Sequence, residues 1–254
     1  MVALDRMIAV RNRKTVYRDG DKCIKVFDET YSKADILNEA LNQARVENIG
    51  LNVPKILEVA MIDGKWAIIS DYIPGKTLEE LIKKEPENKQ AYFEQFVDIQ
   101  LDILSKKCPL LNRLKEKMNR KISMADIDAT TRYELHTRLN GMPNADQVCH
   151  GDFDLSNVII SENGPYIIDW AHVTQGNPEA DAARTYLRFN QHIEILLFIF
   201  RIIAHQMGKC SSFNKLGNDS PLSVNSGDLE NFRYIQPNAL YACLVERFIQ
   251  DVGL

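Results

Sequence analysis

The run His150-Gly151-Asp152-Phe153-Asp154-Leu155-Ser156-Asn157, followed twelve positions later by Asp169 in Tyr166-Ile167-Ile168-Asp169-Trp170, constrains this chain more than any other feature. Three carboxylates, Asp152, Asp154 and Asp169, and the Asn157 amide are gathered into a short stretch. Between them lie Val158-Ile159-Ile160 and Tyr166-Ile167-Ile168, apolar and β-branched enough to read as short strands. The polar groups therefore sit on turns at the ends of buried strands. His-Gly-Asp followed by Asn at this offset arises by chance in a chain of this length on the order of once in a thousand. A polar turn explains either half of the pattern alone, but not the two together.

These residue types fit phosphoryl transfer. Its transition state spreads negative charge over the phosphoryl oxygens, so a protein contributes mainly positioning and electrostatics. Asp152 is the candidate base beside an acceptor hydroxyl. Asn157 and Asp169 are the candidate oxygen ligands for Mg²⁺, which prefers carboxylates and water to nitrogen or sulfur.

Two further signals lie upstream. Lys25 sits mid-strand between Ile24 and Val26, where a lysine by itself is usually just solvated. Glu39 follows on a helical segment, and its spacing permits an ion pair that would hold Lys25 against the phosphates. Glu47 competes for that place but falls near the helix end. In Ile69-Ser70-Asp71-Tyr72-Ile73-Pro74-Gly75 a strand gives way to a Pro-Gly break, as at a hinge. There the Asp71 carbonyl and the Ile73 N–H are candidates to bond an adenine.

The local patterns supply the setting. Asp19-Gly20 and Asp63-Gly64 are hairpin signals between β-prone runs. Residues 33–48 read as a helix capped by Ser32, with Ile36, Leu37, Ala40, Leu41 and Ala44 as its apolar face. After Gly75 the chain turns helical, opening on a Thr77-x-x-Glu80 capping box. Helices follow over 88–107, 110–120, 126–140, 178–207 and 238–250. Tyr166 to Trp170 reads as a strand, and residues 208–228 as a long polar loop. His136, His192 and His205 fall on helices as packing or surface residues. His150 braces the Asp152 loop, and His172 follows Asp169.

Composition excludes several classes. Of 254 residues 45% are hydrophobic and 26% charged, enough for a full core. A net charge of -4 is unlike a nucleic-acid-binding domain. The five cysteines form no CxxC pair, which points away from zinc and disulfides and toward a reducing cytoplasm. The N-terminus has no signal-peptide pattern. The most apolar stretch, residues 193–203, is too short to span a membrane and reads as a buried helix.

Taken in order, the strand lysine, the helix glutamate, the hinge and HGDxxxxN followed by IDW resemble the aminoglycoside phosphotransferase and choline kinase-like family. Gly176-Asn177-Pro178-Glu179-Ala180-Asp181 is similar to that family's Gly-x-Pro-x-x-Asp segment. The resemblance implies an α+β, bilobal protein-kinase-like fold. A small antiparallel β N-lobe with one helix, residues 1–74, would bind nucleotide. A larger helical C-lobe, residues 75–254, would carry the catalytic loop, metal site and acceptor site. It implies ATP and Mg²⁺ as cofactors and a small-molecule hydroxyl compound as acceptor. Asp152 would be the base, Asn157 and Asp169 the metal ligands, Lys25 the phosphate anchor and Glu39 its orienting partner. Ile159 and Ile168 would floor the adenine, and Asp181 would be structural.

Departures from the pattern matter too. His-Gly-Asp stands where protein kinases have His-Arg-Asp, Asp-Trp replaces Asp-Phe-Gly, and no Ala-Pro-Glu follows, which argues for a small acceptor. The first β-turn, Val10-Arg11-Asn12-Arg13-Lys14-Thr15, has no glycine for close backbone approach to phosphate. Arg11, Arg13 or Lys14 would have to substitute by charge, or the protein is a catalytically weak nucleotide binder. Residues 150–254 hold 7 basic and 12 acidic residues, but the acids are thinly spread, with Phe232, Tyr234 and Tyr241 between the last of them. That favours a neutral or singly charged acceptor, a sugar or amino alcohol, over a polycation.

Overall fold

A computed structural model describes residues 6–11 and 13–188. In chain order the elements begin with β1 (Arg6–Arg11), β2 (Lys14–Asp19), β3 (Lys22–Phe27), α1 (Lys33–Val46), β4 (Ile56–Ile62) and β5 (Lys65–Asp71). They continue with β6 (Lys76–Thr77), α2 (Leu78–Lys84), α3 (Lys89–Ser105), α4 (Leu114–Met124), α5 (Ala129–Gly141) and β7 (Gln147–Cys149). The last are β8 (Val158–Ser161), β9 (Gly164–Ile167), β10 (Thr174–Gly176) and α6 (Pro178–Arg188). The expected helix over 238–250, the 208–228 loop, the 193–203 segment, the end of the 178–207 helix, His192 and His205 lie outside the described residues. Among the described residues no helix is long and apolar enough to cross a membrane, and Cys23, Cys108 and Cys149 are free thiols.

By contact the chain forms two compact units. Among the described residues, one runs from Arg6 to Leu111 and includes His150–Val173; the other comprises Asn112–Cys149 and Thr174–Arg188. The segment carrying the HGDxxxxN loop thus belongs with the sheet, although in chain order it lies far beyond residue 74.

The first unit is built on a five-stranded antiparallel sheet in the order β1-β2-β3-β5-β4. Both hairpins form. In the second, Ile62 pairs with Lys65, and Asp63 and Gly64 both take positive φ (49° and 78°), as a two-residue turn matched to strand twist demands. In the first, Asp19 still pairs with Lys22, so the turn is Gly20-Asp21, one residue later than Asp19-Gly20.

Strand register decides which side chains share a face. Val16 opposes Lys25, and Lys25 opposes Ile68. Opposed residues point the same way. Lys14, Val16, Cys23, Lys25, Ile68 and Ser70 therefore share one face. The other face buries Ile24, Val26, Ala67 and Ile69.

Helix α1 packs Ile36 and Ala40 against Phe27 and Ile68 on the Lys25 side of the sheet. Its Ser32 cap accepts a hydrogen bond from Asp35 N. The expected apolar face is corrected in part: Leu37 and Leu41 are 42% and 49% exposed, whereas Glu39 and Asn42 are buried. The helix turns a polar stripe inward because its partners there include lysine side chains and the turn after Asp169.

Beyond Gly75, the Thr77–Glu80 capping box is present with both of its hydrogen bonds. A second sheet, β6-β8-β9, follows. Phe153, inside the HGDxxxxN run, is buried and stacks on Phe96 of α3, with centroids 4.3 Å apart and planes at 19°. In the second unit, Met118 and Ile122 of α4 pack on Leu135 and Leu139 of α5, and β7 pairs with β10. Asp181 is buried in the first turn of α6.

The Phe96–Phe153 stack is expected to anchor the Asp152 loop. Phe96→Ala should cost about 3–5 kcal/mol, read as a lowered urea midpoint; a loss under about 1 kcal/mol would mean the loop is held by other contacts.

Candidate active site

Lys25 leaves β3 on the α1 side and donates to Glu39 Oε1 at 2.6 Å. It also donates to Asp169 Oδ1 at 3.2 Å. Glu47, the competing acid, instead accepts from the Ile56 N–H at 2.7 Å and so fastens the start of β4. Its place at the helix end put it out of reach of Lys25.

The cluster has a fourth member, which sequence reasoning weighed only as one of three cations near a glycine-free turn. Lys14 donates to Glu39 Oε2 at 3.0 Å and lies 3.9 Å from Asp169 Oδ1. The strand alternation that places Lys25 also places Lys14, so hairpin register was the signal that could have found it.

Asp169 takes a left-handed backbone conformation, φ 65° and ψ 61°, uncommon for a residue with a side chain. The expected strand through Trp170 therefore stops at Ile167, and Trp170–His172 forms a 3₁₀ turn. The bend turns Asp169 toward the lysines while Trp170 is fully buried and donates from Nε1 to Ile167 O. Asn42 Nδ2 donates to Ala171 O at 3.4 Å, which ties α1 to the same turn.

The loop before it is braced by His150, also fully buried. The Asp152 N–H donates to His150 Nδ1 at 3.2 Å, so Nε2 carries the ring proton and donates to Ile168 O. Gly151 has φ 76°, and a Cβ there would meet His172 O at 2.6 Å, so glycine is required. Asn157 is buried and donates from Nδ2 to Asp152 O at 2.9 Å. With its nitrogen so used, the atom it would offer a hard cation is Oδ1.

A cavity of about 300 Å³ opens along this face, at the lower end of the range for small-ligand sites. Lys14, Lys25, Glu39, Asn157 and Asp169 line it at one side. Val16 and Ile68 of the sheet, with Ile159 and Ile168, supply apolar lining, and Asp71 and Ile73 border it. Of the sequence-derived site residues, only Asp152 is not on the lining; its loop reaches the cavity through Asn157 and Ser156. Val16 and Ile68 were missed, although their register with Lys25 marks them. The end of β5 and the residue after it are anchored: Asp71 N donates to Lys55 O, Tyr72 N to Asp21 O, and Arg18 lies 4.0 Å over the Tyr72 ring.

Electrostatics follow from the cluster. Burial by itself would push the Asp169 carboxyl up, but Lys25 and then Lys14 outweigh it and hold it at about 2. Burial likewise works against the Lys25 ammonium, yet Asp169 and Glu39 keep it above the ordinary lysine value. Burial raises the Cys23 thiol, against the pull of Lys25. Among the described residues no three His, Cys, Asp or Glu side chains form a metal cage. Asn157 with Asp169 is the oxygen pair that suits Mg²⁺, which takes few protein ligands and completes its shell from phosphates and water.

Because the folded carboxyl of Asp169 lies below its ordinary 3.8, its contribution to stability is full above about pH 4 and is lost as pH falls through about 2. Between pH 5 and pH 2 the wild type is expected to lose up to about 2 kcal/mol more stability than Asp169→Asn. Equal losses in urea unfolding would contradict the ion cluster.

Comparison with known proteins bears on the family and the fold. The model of the phosphotransferase enzyme family (APH) matches residues 9–198. No curated protein sequence matches the chain significantly. Among solved structures, a thermostable mutant of aminoglycoside phosphotransferase APH(4)-Ia, in ternary complex with AMP-PNP and hygromycin B, is similar over 97% of this chain and 85% of its own, with TM-score 0.62 and 13% identity. The aminoglycoside-3'-phosphotransferase of type VIII covers 97% and 92%, with TM-score 0.57 and 16% identity. A choline/ethanolamine kinase family protein from Mesorhizobium loti covers 97% and 92%, with TM-score 0.53 and 16% identity. At such identities the structural likeness speaks to the fold, which is the α+β protein-kinase-like fold; the family match, spanning most of the sequence, makes this chain a member of the phosphotransferase enzyme family.

Proposed function

We propose that this protein transfers the γ-phosphate of ATP to a hydroxyl group of a small molecule. The observation that carries the reading is the cavity in which Lys25, Glu39, Asn157 and Asp169 come together, with the Asp152 loop tied to it through Asn157. Residues 1–74 would act as the nucleotide-binding lobe and residues 75–254 as the lobe with catalytic loop, metal site and acceptor site.

In this reading the adenine lies against Val16, Ile68, Ile159 and Ile168 and bonds the Asp71 carbonyl and the Ile73 N–H. Lys25, oriented by Glu39, anchors the phosphates. Asn157 and Asp169 would hold Mg²⁺, which would supply charge neutralisation at the phosphoryl oxygens. Asp152 accepts the proton of the acceptor hydroxyl as its oxygen attacks phosphorus, and ADP leaves. His150 keeps the loop in place by accepting from Asp152 N and donating to Ile168 O.

The acceptor is proposed to be a neutral or singly charged hydroxyl compound, such as a sugar or amino alcohol. A second reading, a nucleotide binder with weak catalysis, is favoured by one observation: the β1–β2 turn has no glycine, and Arg13 takes the left-handed conformation there, φ 64°.

An acceptor panel coupled to ADP release tests both. Wild type should release ADP with at least one hydroxyl compound, and Asp152→Ala should lower that turnover about 10²–10⁴-fold while binding Mg-ATP normally in calorimetry. Turnover within a few-fold of wild type would contradict Asp152 as base. Tight Mg-ATP binding with no transfer to any acceptor would favour the second reading.

A further inference from the structure

We propose that Lys14 is a second phosphate-binding cation of the cavity, taking by charge the place that a glycine-rich turn would fill with backbone N–H donors. The proposal rests on the nucleotide reading of the site and adds a residue to it.

Register puts Lys14 there. Lys14 opposes Phe27, while Val16, two residues on, opposes Lys25. Both lysines thus rise from neighbouring strands on the cavity face. They meet at one carboxylate: Glu39 gives Oε1 to Lys25 at 2.6 Å and Oε2 to Lys14 at 3.0 Å. The ammonium of Lys14 also lies 5.2 Å and 5.3 Å from the ring centroids of Phe27 and Tyr31. Aromatic faces hold a cation without neutralising it. Its side chain is 13% exposed, so it is held at the wall yet still reaches the opening.

The balance of charge gives this arrangement its consequence. Lys14 and Lys25 together offset Glu39 and Asp169. With Lys25 alone the protein side chains of the same wall would carry one net negative charge, which bound Mg²⁺ would have to offset by itself; Lys14 brings them to neutrality before the metal is counted. The connection immediately before Lys14 is the one that would cover the phosphates. It has no glycine to let backbone approach them, so a donor at its foot is the means available to this chain. Arg13 is exposed, and in the described structure Lys14 is the cation from this turn that reaches Glu39 and Asp169.

A brace for Glu39 would need the same contacts, so the test must read phosphate affinity separately from fold. Calorimetry in magnesium with ATP and with adenosine would compare wild type, Lys14→Gln and Lys14→Arg. Glutamine keeps an N–H donor for Glu39 but removes the charge. Lys14→Gln should weaken ATP binding about ten- to hundredfold and leave adenosine binding within about twofold, while Lys14→Arg stays near wild type. A second measurement needs no variant. In the wild-type protein, saturating ATP should shield both Lys14 and Lys25 from an amine-reactive reagent, and adenosine should not. Wild-type ATP affinity in Lys14→Gln would overturn the proposal. So would equal loss of ATP and adenosine binding, or Lys14 labelling that ATP leaves unchanged. A wild type that binds neither ATP nor adenosine would instead overturn the nucleotide site itself, and the role of Lys14 with it.

Discussion

The Glu39 carboxylate is the point on which the site depends. It is buried on α1, each of its oxygens takes one lysine, and the lysines come from two different strands. Lys25 then reaches across to Asp169. One acid therefore fixes a helix, a sheet and the turn after β9 at a single place. Replacing a whole buried ion pair by apolar residues often costs little, because desolvation offsets the attraction, whereas removing one partner strands the other. What this one supplies is position. Removing Glu39 would leave two ammoniums crowded beside one carboxylate, so the helix and the cluster stand or fall together.

Around that cluster, local strain and packing serve the same end. Asp169 bends left-handed at the end of its strand, and the fully buried Trp170 beside it keeps the bend in place. Gly151 lets the preceding loop pass His172 at a distance no Cβ would allow. His150 and Phe153 fill the space beneath, against Trp170 and Phe96 respectively. The polar groups of the loop are thus mounted on a packed aromatic layer, as a preorganised electrostatic site requires.

Much of this was legible in the sequence, for physical reasons that differ by region. Short-range signals carried the hairpins, the Ser32 cap and the Thr77 capping box, since each is a local hydrogen-bond or φ requirement. Asp152, Asn157 and Asp169 stood out because they are close in sequence, and the structure brings Asn157 and Asp169 to the cavity while Asp152 stays off its lining. The Lys25–Glu39 pair followed from spacing between a strand and the next helix. Leu37 and Leu41 were misread because periodicity finds an apolar stripe but does not say which stripe the sheet will take. In α1 the ion cluster decided it, turning Glu39 and Asn42 inward. Lys14 could not be singled out from Arg11 and Arg13, because its place depends on register across the β2–β3 hairpin and on a partner twenty-five residues away. The Asp169 bend was missed because Ile168-Asp169-Trp170 looks strand-like, and only the lysines it faces explain why it turns.

The nucleotide reading stands most directly on where a triphosphate sits. A crystal structure with a non-hydrolysable ATP analogue and magnesium would measure it. The base is expected in the cavity between Val16, Ile68, Ile159 and Ile168, with the phosphates against Lys25 and the metal at Asn157 and Asp169. An analogue bound elsewhere, or an empty cavity at saturating analogue with Lys25 still bonded only to Glu39 and Asp169, would contradict it.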